Sequence, residues 1–163
     1  MIMKKQQRAD ISAPNGVPGR HDLRQACRAA GLKVTHQREI IFSEIVNTTD
    51  HPSAEMLFER VREKIPSVSR DTVYRTLSML EDAGFVSRLT LRGATRFDGD
   101  VSAHHHFFCT QCGAVYDFDW REFDSLALPE TAKACGDVAS SRVVLEGICR
   151  CCAESEDNGA GNA

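Results

Sequence analysis

Two cysteine pairs constrain this chain more than any other feature: Cys109-Thr-Gln-Cys112 and Cys149-Arg-Cys-Cys152. Each offers two sulfurs from one tight turn. Such pairs serve as disulfide partners, as redox dithiols or as halves of a tetrahedral zinc site. The seven cysteines are an odd number, which disfavours a fully paired disulfide framework. The start, Met1 to Arg8, is basic with no apolar run behind it, unlike a signal peptide. No apolar stretch approaches the roughly 18 residues that a transmembrane helix needs. We therefore expect a cytoplasmic protein without membrane contact, where close-spaced thiols serve as metal ligands. Cys109, Cys112, Cys149 and Cys152 are the expected structural zinc ligands, stapling a small domain with few large apolar residues. The 36 residues between the pairs exceed ordinary zinc-ribbon spacing. Cys151 is an alternative ligand in place of Cys149 or Cys152. Cys27 reads as a small buried helix residue and Cys135 as unpaired.

The stretch before the first pair carries different donors. His104-His-His106 lies between Asp98 and Asp117. On a strand, alternate residues share a face, so His104 and His106 point one way and His105 the other. A His-x-His pair with carboxylates nearby can hold Fe(II), Mn(II) or Zn(II), and the oxygen share tilts the site toward the first two. A surface patch of histidines is the plain alternative, and the adjoining cysteine pair and carboxylates weigh against it. Ligand chemistry alone passes over His51, which sits in a loop far away in sequence. A catalytic zinc centre would need an open position and a general base. The His-x-Glu of zinc deaminases is absent, so no enzyme is expected.

The first half reads as a helical domain. An unstructured arm is expected over residues 1–20, then a helix near 21–30 stopped by Gly31. Thr35, Ser53 and Ser69 stand as N-caps before helices at about 36–47, 54–65 and 70–83. Their apolar faces are Ile41, Phe42, Ile45 and Val46, then Ala54, Leu57, Phe58, Val61 and Ile65, then Val73, Thr76, Leu77 and Leu80. Phe85 to Leu91 and Thr95 to Phe97 read as a hairpin around Arg92-Gly93-Ala94. Three helices and a hairpin make a winged helix-turn-helix over 21–98, whose last helix enters the major groove. Arg70, Thr72, Tyr74 and Arg75 are the candidate DNA contacts. Charge agrees: residues 1–98 carry 16 basic and 12 acidic residues, against 4 and 11 over 99–163. The second half should hold strands at 104–110, 114–118 and 142–148, a weak helix at 128–134, and a disordered acidic tail over 154–163. The fold class is α+β, with residues 99–153 as the metal-binding domain.

Together these residues resemble the ferric uptake regulator family of metal-dependent bacterial transcription factors. The landmarks are Gly31-Leu-Lys-Val-Thr-His-Gln-Arg38, His51-Pro-Ser-Ala-Glu55, Ser69 to Arg75, Arg96-Phe-Asp98, His104 to Gly113, and Cys149-x-x-Cys152. The resemblance implies a homodimer that binds a palindromic operator in double-stranded DNA, with residues 99–153 forming an α/β dimerisation domain. It implies structural zinc on the four cysteines. It also implies a regulatory Fe(II) or Mn(II) on His51, Asp98, His104, His106 and Asp117, and so recruits the histidine that ligand chemistry passed over. Aspartates at 98 and 117 are similar to the peroxide-sensing branch of the family, and iron regulators tend to carry glutamates there. That branch implies oxidation at His51 and His104. An iron-responsive repressor of metal uptake is the alternative. Ala103, His105 and Cys135 stand where a further metal site of some members would need ligands, so that site is not expected.

Overall fold

The structure, a computed structural model, describes residues 20–29 and 31–159. The expected arm therefore lies outside the described residues, except Arg20, and so does the end of the tail. Four helices come first: α1 (Arg20–Ala29), α2 (His36–Val46), α3 (Ala54–Lys64) and α4 (Arg70–Asp82). The last three begin as their sequences dictate. Thr35 Oγ1 accepts from Arg38 N at 3.3 Å, Ser53 Oγ from Met56 N at 3.2 Å, and Ser69 Oγ from Thr72 N at 3.1 Å. Each cap satisfies a donor that the helix start leaves open. The apolar stripes then meet. Ile41, Phe42 and Ile45 of α2 pack with Leu57, Phe58 and Val61 of α3 and with Val73, Leu77 and Leu80 of α4. Leu23 and Cys27 of α1 close this core, so Cys27 is buried as expected.

The hairpin follows as β1 (Ser87–Leu91) and β2 (Ala94–Asp98), antiparallel. Its turn is tighter than expected. Ala94 pairs with Leu91, leaving Arg92 and Gly93 as the two turn residues, both at positive φ (48° and 82°). That is the backbone of a two-residue hairpin turn whose twist matches the strands.

The second half forms a three-stranded sheet in the order β4-β3-β5, from β3 (His105–Cys109), β4 (Val115–Phe118) and β5 (Val144–Gly147). β3 pairs antiparallel with β4 and parallel with β5. Two short helices, α5 (Arg121–Asp124) and α6 (Glu130–Lys133), lie between β4 and β5. No helix was expected at α5, and α6 is shorter than the helix expected at 128–134. The tail differs more. Where an unstructured segment was expected from residue 154, α7 (Arg150–Gly159) continues as helix. Its start is set by the cysteine turn, because the Cys149 carbonyl accepts from both Cys152 N and Ala153 N at 3.0 Å. Small acidic residues can extend a turn that is already nucleated.

The two halves touch through the hairpin. Leu89 and Leu91 form a second apolar cluster with Phe108 and Val115, and Arg92 Nη2 meets Glu146 Oε2 at 2.7 Å. Gly99 is the tightest point of the joint. A Cβ there would stand 2.5 Å from the Ile45 carbonyl oxygen and 2.8 Å from Val46 Cα, both backbone atoms of α2. Replacing Gly99 by Ala must therefore push α2 and the adjoining Asp98 apart. We expect a loss of about 1–3 kcal/mol in thermal or denaturant unfolding, with weaker Mn(II) binding. Wild-type behaviour in both measurements would show that the contact is slack.

Candidate metal centres

The first group is sulfur. Cys109 ends β3, Cys112 lies in the following turn, and Cys149 and Cys152 flank the start of α7. Cys109 Sγ lies 3.9 Å from Cys152 Sγ, and Cys112 Sγ lies 3.8 Å from Cys149 Sγ. All four sulfurs fall within 4.8 Å of one another, and none is in a disulfide. A tetrahedron with Zn–S bonds of about 2.3 Å has edges of about 3.8 Å. The spacing therefore fits a zinc site made of four thiolates. Backbone N–H groups of Cys112 and Cys149 hold the Cys109 thiol down at about 6. The neighbouring sulfurs of Cys149 and Cys112 push Cys152 far up. Four thiolates cannot share this space without a cation between them. Cys151 and Cys135 are exposed and stand outside the group.

The second group is nitrogen and oxygen. His51 comes from the loop between α2 and α3, Asp98 from the end of β2, His104 and His106 from β3 and its approach, and Asp117 from β4 opposite His106. His104 Nε2 lies 2.9 Å from Asp98 Oδ2 and 3.0 Å from His106 Nε2. His106 Nε2 lies 3.4 Å from Asp98 Oδ2 and 3.6 Å from Asp117 Oδ1. His51 Nε2 lies 2.8 Å from Asp117 Oδ1 and 3.6 Å from Asp98 Oδ2. Donors held about 2.1 Å from one ion stand about 3.0–3.5 Å apart, according to its geometry.

Orientation speaks as clearly as distance. His51 Nε2 and Asp117 Oδ1 are buried and close, yet neither makes a hydrogen bond. Their mutual geometry does not suit a hydrogen bond, and both lie within 4.8 Å of the ligand nitrogens of His104 and His106. His51, His104 and His106 are at most 7 % exposed and Asp98 is 5 % exposed, so three imidazoles and one carboxylate have been taken out of water together, with Oδ1 of the more exposed Asp117 turned in beside them. That fits a divalent metal, which would supply the missing partner. His105 points away, as strand alternation requires. Its Nδ1 accepts from Val143 N at 3.1 Å, and its ring lies among Phe118, Trp120 and Phe123.

Burial opposes protonation of His51, but Asp117 and Asp98 outweigh it and push the group up to about 9. Asp98 lifts His104 as well. Burial would raise Asp98, yet hydrogen bonds from His104 and His106, with the charge of the nearby His51, hold it far below the usual carboxylate range. The sign follows from linkage. In protein lacking the second metal, the raised His51 stabilises the fold fully below about pH 6.5 and ceases to do so as pH rises through about 9. The depressed Asp98 contributes above about pH 4 and is lost on acidification. The thermal midpoint without this metal should peak near pH 6 and fall toward pH 9, a His51 effect of at most about 3 kcal/mol. With Mn(II) the slope should reverse, since the metal needs unprotonated imidazoles. A flat profile for both forms would contradict the pairing.

The candidate DNA contacts lie on α4. Tyr74 is 50 % exposed, and Arg75 pairs with Asp71 at 3.0 Å on the outer face. Arg70 is held at 2.7 Å by Glu55 and stacks over Phe58. Thr72 is engaged with the Ser69 cap at 2.9 Å. These internal ties were not visible in the sequence.

The model of the ferric uptake regulator family matches residues 29–142. The chain is similar to the peroxide-responsive repressor PerR of Staphylococcus epidermidis, with 30 % identity over 82 % of this chain and 92 % of that protein. It is also similar to the solved ferric uptake regulator of Helicobacter pylori, described as having three functional metal binding sites, with 28 % identity over 83 % of this chain and 92 % of that one and a TM-score of 0.71. The Vibrio cholerae ferric uptake regulator matches at 31 % identity over 78 % of this chain and all of that one, TM-score 0.61. Among the described residues, this chain brings together two groups of metal-ligating side chains.

Proposed function

The chain belongs to the ferric uptake regulator family, and on that premise we propose that it is a DNA-binding repressor whose regulatory metal site senses peroxide. The observation that carries this reading is the pair of aspartates, Asp98 and Asp117, converging with three buried imidazoles. That is the harder donor set that suits Fe(II) and Mn(II), and it matches the aspartate pattern of the peroxide-sensing branch. The similarity to PerR supports it further. Cys109, Cys112, Cys149 and Cys152 hold structural zinc. His51, Asp98, His104, His106 and Asp117 hold the regulatory ion.

His51 is the residue through which the site acts on the fold. Its loop joins α2 to α3, and the other four ligands come from β2, β3 and β4. A shared ion therefore favours the arrangement in which the helical half is drawn onto the sheet. DNA affinity follows the population of that arrangement. A bound Fe(II) would supply the redox chemistry that activates peroxide, one oxygen atom of which would enter the His51 or His104 ring while the other leaves as water. Oxidised His51 or His104 is a poorer donor, so the tie between the halves is lost. Tyr74 and Arg75 of α4 meet the DNA, and Arg70 joins them on leaving Glu55. The chain works as a homodimer on a palindromic site. The edge strand β5, with Val144, Leu145 and nearby Ile148 exposed, offers apolar surface for the second copy. No described helix is long and apolar enough to cross a membrane.

A second reading, an iron-responsive repressor of metal uptake, is supported by the similarity to ferric uptake regulators of known structure. Peptide mass analysis separates the two. After dilute peroxide, the Fe(II) form should gain one oxygen atom on His51 or His104, and the Mn(II) form should gain none. Unmodified histidines in a protein that still needs iron to bind DNA would replace the peroxide reading with the iron one.

A further inference from the structure

A histidine that ligates a metal is ordinarily oriented by a hydrogen bond from its other ring nitrogen. His104 has such a partner, since its Nδ1 lies 3.0 Å from the Ser102 carbonyl. His51 has none among the described residues. Its Nδ1 is buried without a hydrogen-bond partner, and its ring packs edge-on against His106, itself a ligand of the proposed regulatory site. Its backbone is at φ 49°, in the left-handed region that an L residue seldom holds unaided. Something outside the ring must set where this imidazole points.

The loop supplies it. Asp50, the residue before His51, receives both arms of the Arg60 guanidinium: Nη1 donates to Oδ1 at 3.0 Å and Nη2 to Oδ2. Thr48 Oγ1 donates to Asp50 Oδ1 at 2.5 Å and accepts from Arg60 Nη1 at 3.2 Å. On the other side of His51, the Pro52 carbonyl accepts from Phe97 N at 3.0 Å, next to Asp98. The histidine is thus pinned one residue before and one residue after. Arg60 and Asp50 are 34 % and 45 % exposed, so this pair does little for overall stability, as surface pairs generally do. Its fork geometry is nevertheless the kind that fixes a carboxylate in one orientation.

We infer that Arg60 is a positioning residue for the regulatory metal, orienting His51 through the Asp50–Thr48 loop in place of the ring hydrogen bond that His51 lacks. The inference rests on the reading of His51 as a ligand. It implies that the sensor's affinity is tuned from α3, within the helical half, by a residue that never touches the ion.

The test is Mn(II) titration of the full-length, zinc-loaded protein, followed by electron paramagnetic resonance of free Mn(II). Arg60→Ala should weaken binding about tenfold to a hundredfold, the range of other residues that orient ligands. Arg60→Lys should recover part of this, because it keeps the charge and loses the fork. Asp50→Asn should weaken binding, and the double variant should be no worse than Arg60→Ala. Zinc content should match wild type, and the thermal midpoint without Mn(II) should stay within about 3 °C. Wild-type Mn(II) affinity in Arg60→Ala, alongside lost affinity in His51→Ala, overturns the inference and leaves the regulatory site standing. Unchanged affinity in His51→Ala overturns both. A midpoint lowered by more than about 10 °C in Arg60→Ala makes it an ordinary fold residue and overturns the inference as well.

Discussion

Cys112→Ser should leave a protein that retains no stoichiometric zinc and lacks a cooperative transition for its C-terminal sheet. The sheet has little else to hold it. Of β5, Val144, Leu145 and Glu146 are exposed, and among the described residues the buried apolar cluster near it is Leu89, Leu91, Phe108 and Val115. The four sulfurs join the end of β3 to the turn before α7 across 40 residues of chain. In zinc-finger peptides, metal binding of this kind contributes about 10–16 kcal/mol at neutral pH and is inseparable from folding. Most of a small domain's stability would disappear with one ligand. Zinc assay and calorimetry read the result. The helical half, with its own core of α1 to α4, should keep its transition. A Cys112→Ser protein with full zinc and an unchanged second transition would show that the sulfur cluster is not the staple.

His51→Ala should have the opposite profile. Zinc content and two separate transitions should be kept, the metal-free protein losing at most about 3 kcal/mol below pH 9, and Mn(II) affinity should fall about a hundredfold or more, the loss of one inner ligand exceeding that of an orienting group. The reason is geometric. Of the five proposed regulatory ligands, His51 alone comes from the loop between α2 and α3. Removing it leaves a site within the β2, β3 and β4 ends that binds metal without reporting to the helices. In metal-free protein the change also removes a buried imidazole held by Asp117 and Asp98, so the fall in stability toward pH 9 should flatten. Isothermal titration and the pH profile check both points. Undiminished Mn(II) affinity would remove His51 from the site.

Much of this was legible in the sequence, for identifiable reasons. The N-caps at Thr35, Ser53 and Ser69, and the apolar faces behind them, are local rules obeyed locally. Strand alternation alone put His104 and His106 on one face and His105 on the other. Cysteine spacing marked out the sulfur group. What stayed hidden is non-local. Nothing near His51 announces that its loop will rest against Asp98 and Asp117, and only the family resemblance brought it in. The close approach of Gly99 to the α2 backbone, and the ties of Arg70 to Glu55 and Phe58, need the packed structure. The acidic residues after Cys152 read as disorder by composition, yet the turn at Cys149 starts a helix through them.

The central claim is that a metal shared between the helical half and the sheet controls DNA binding and is lost to peroxide. Its most direct measurement is retention of genomic DNA fragments by the zinc-loaded protein with Fe(II) or with Mn(II), before and after peroxide, with His51→Ala in parallel. The account predicts metal-dependent retention by wild type, abolished by peroxide only in the Fe(II) form, and little retention by His51→Ala under any condition. Retention that is equal with and without added metal, or equal in His51→Ala and wild type, would contradict it.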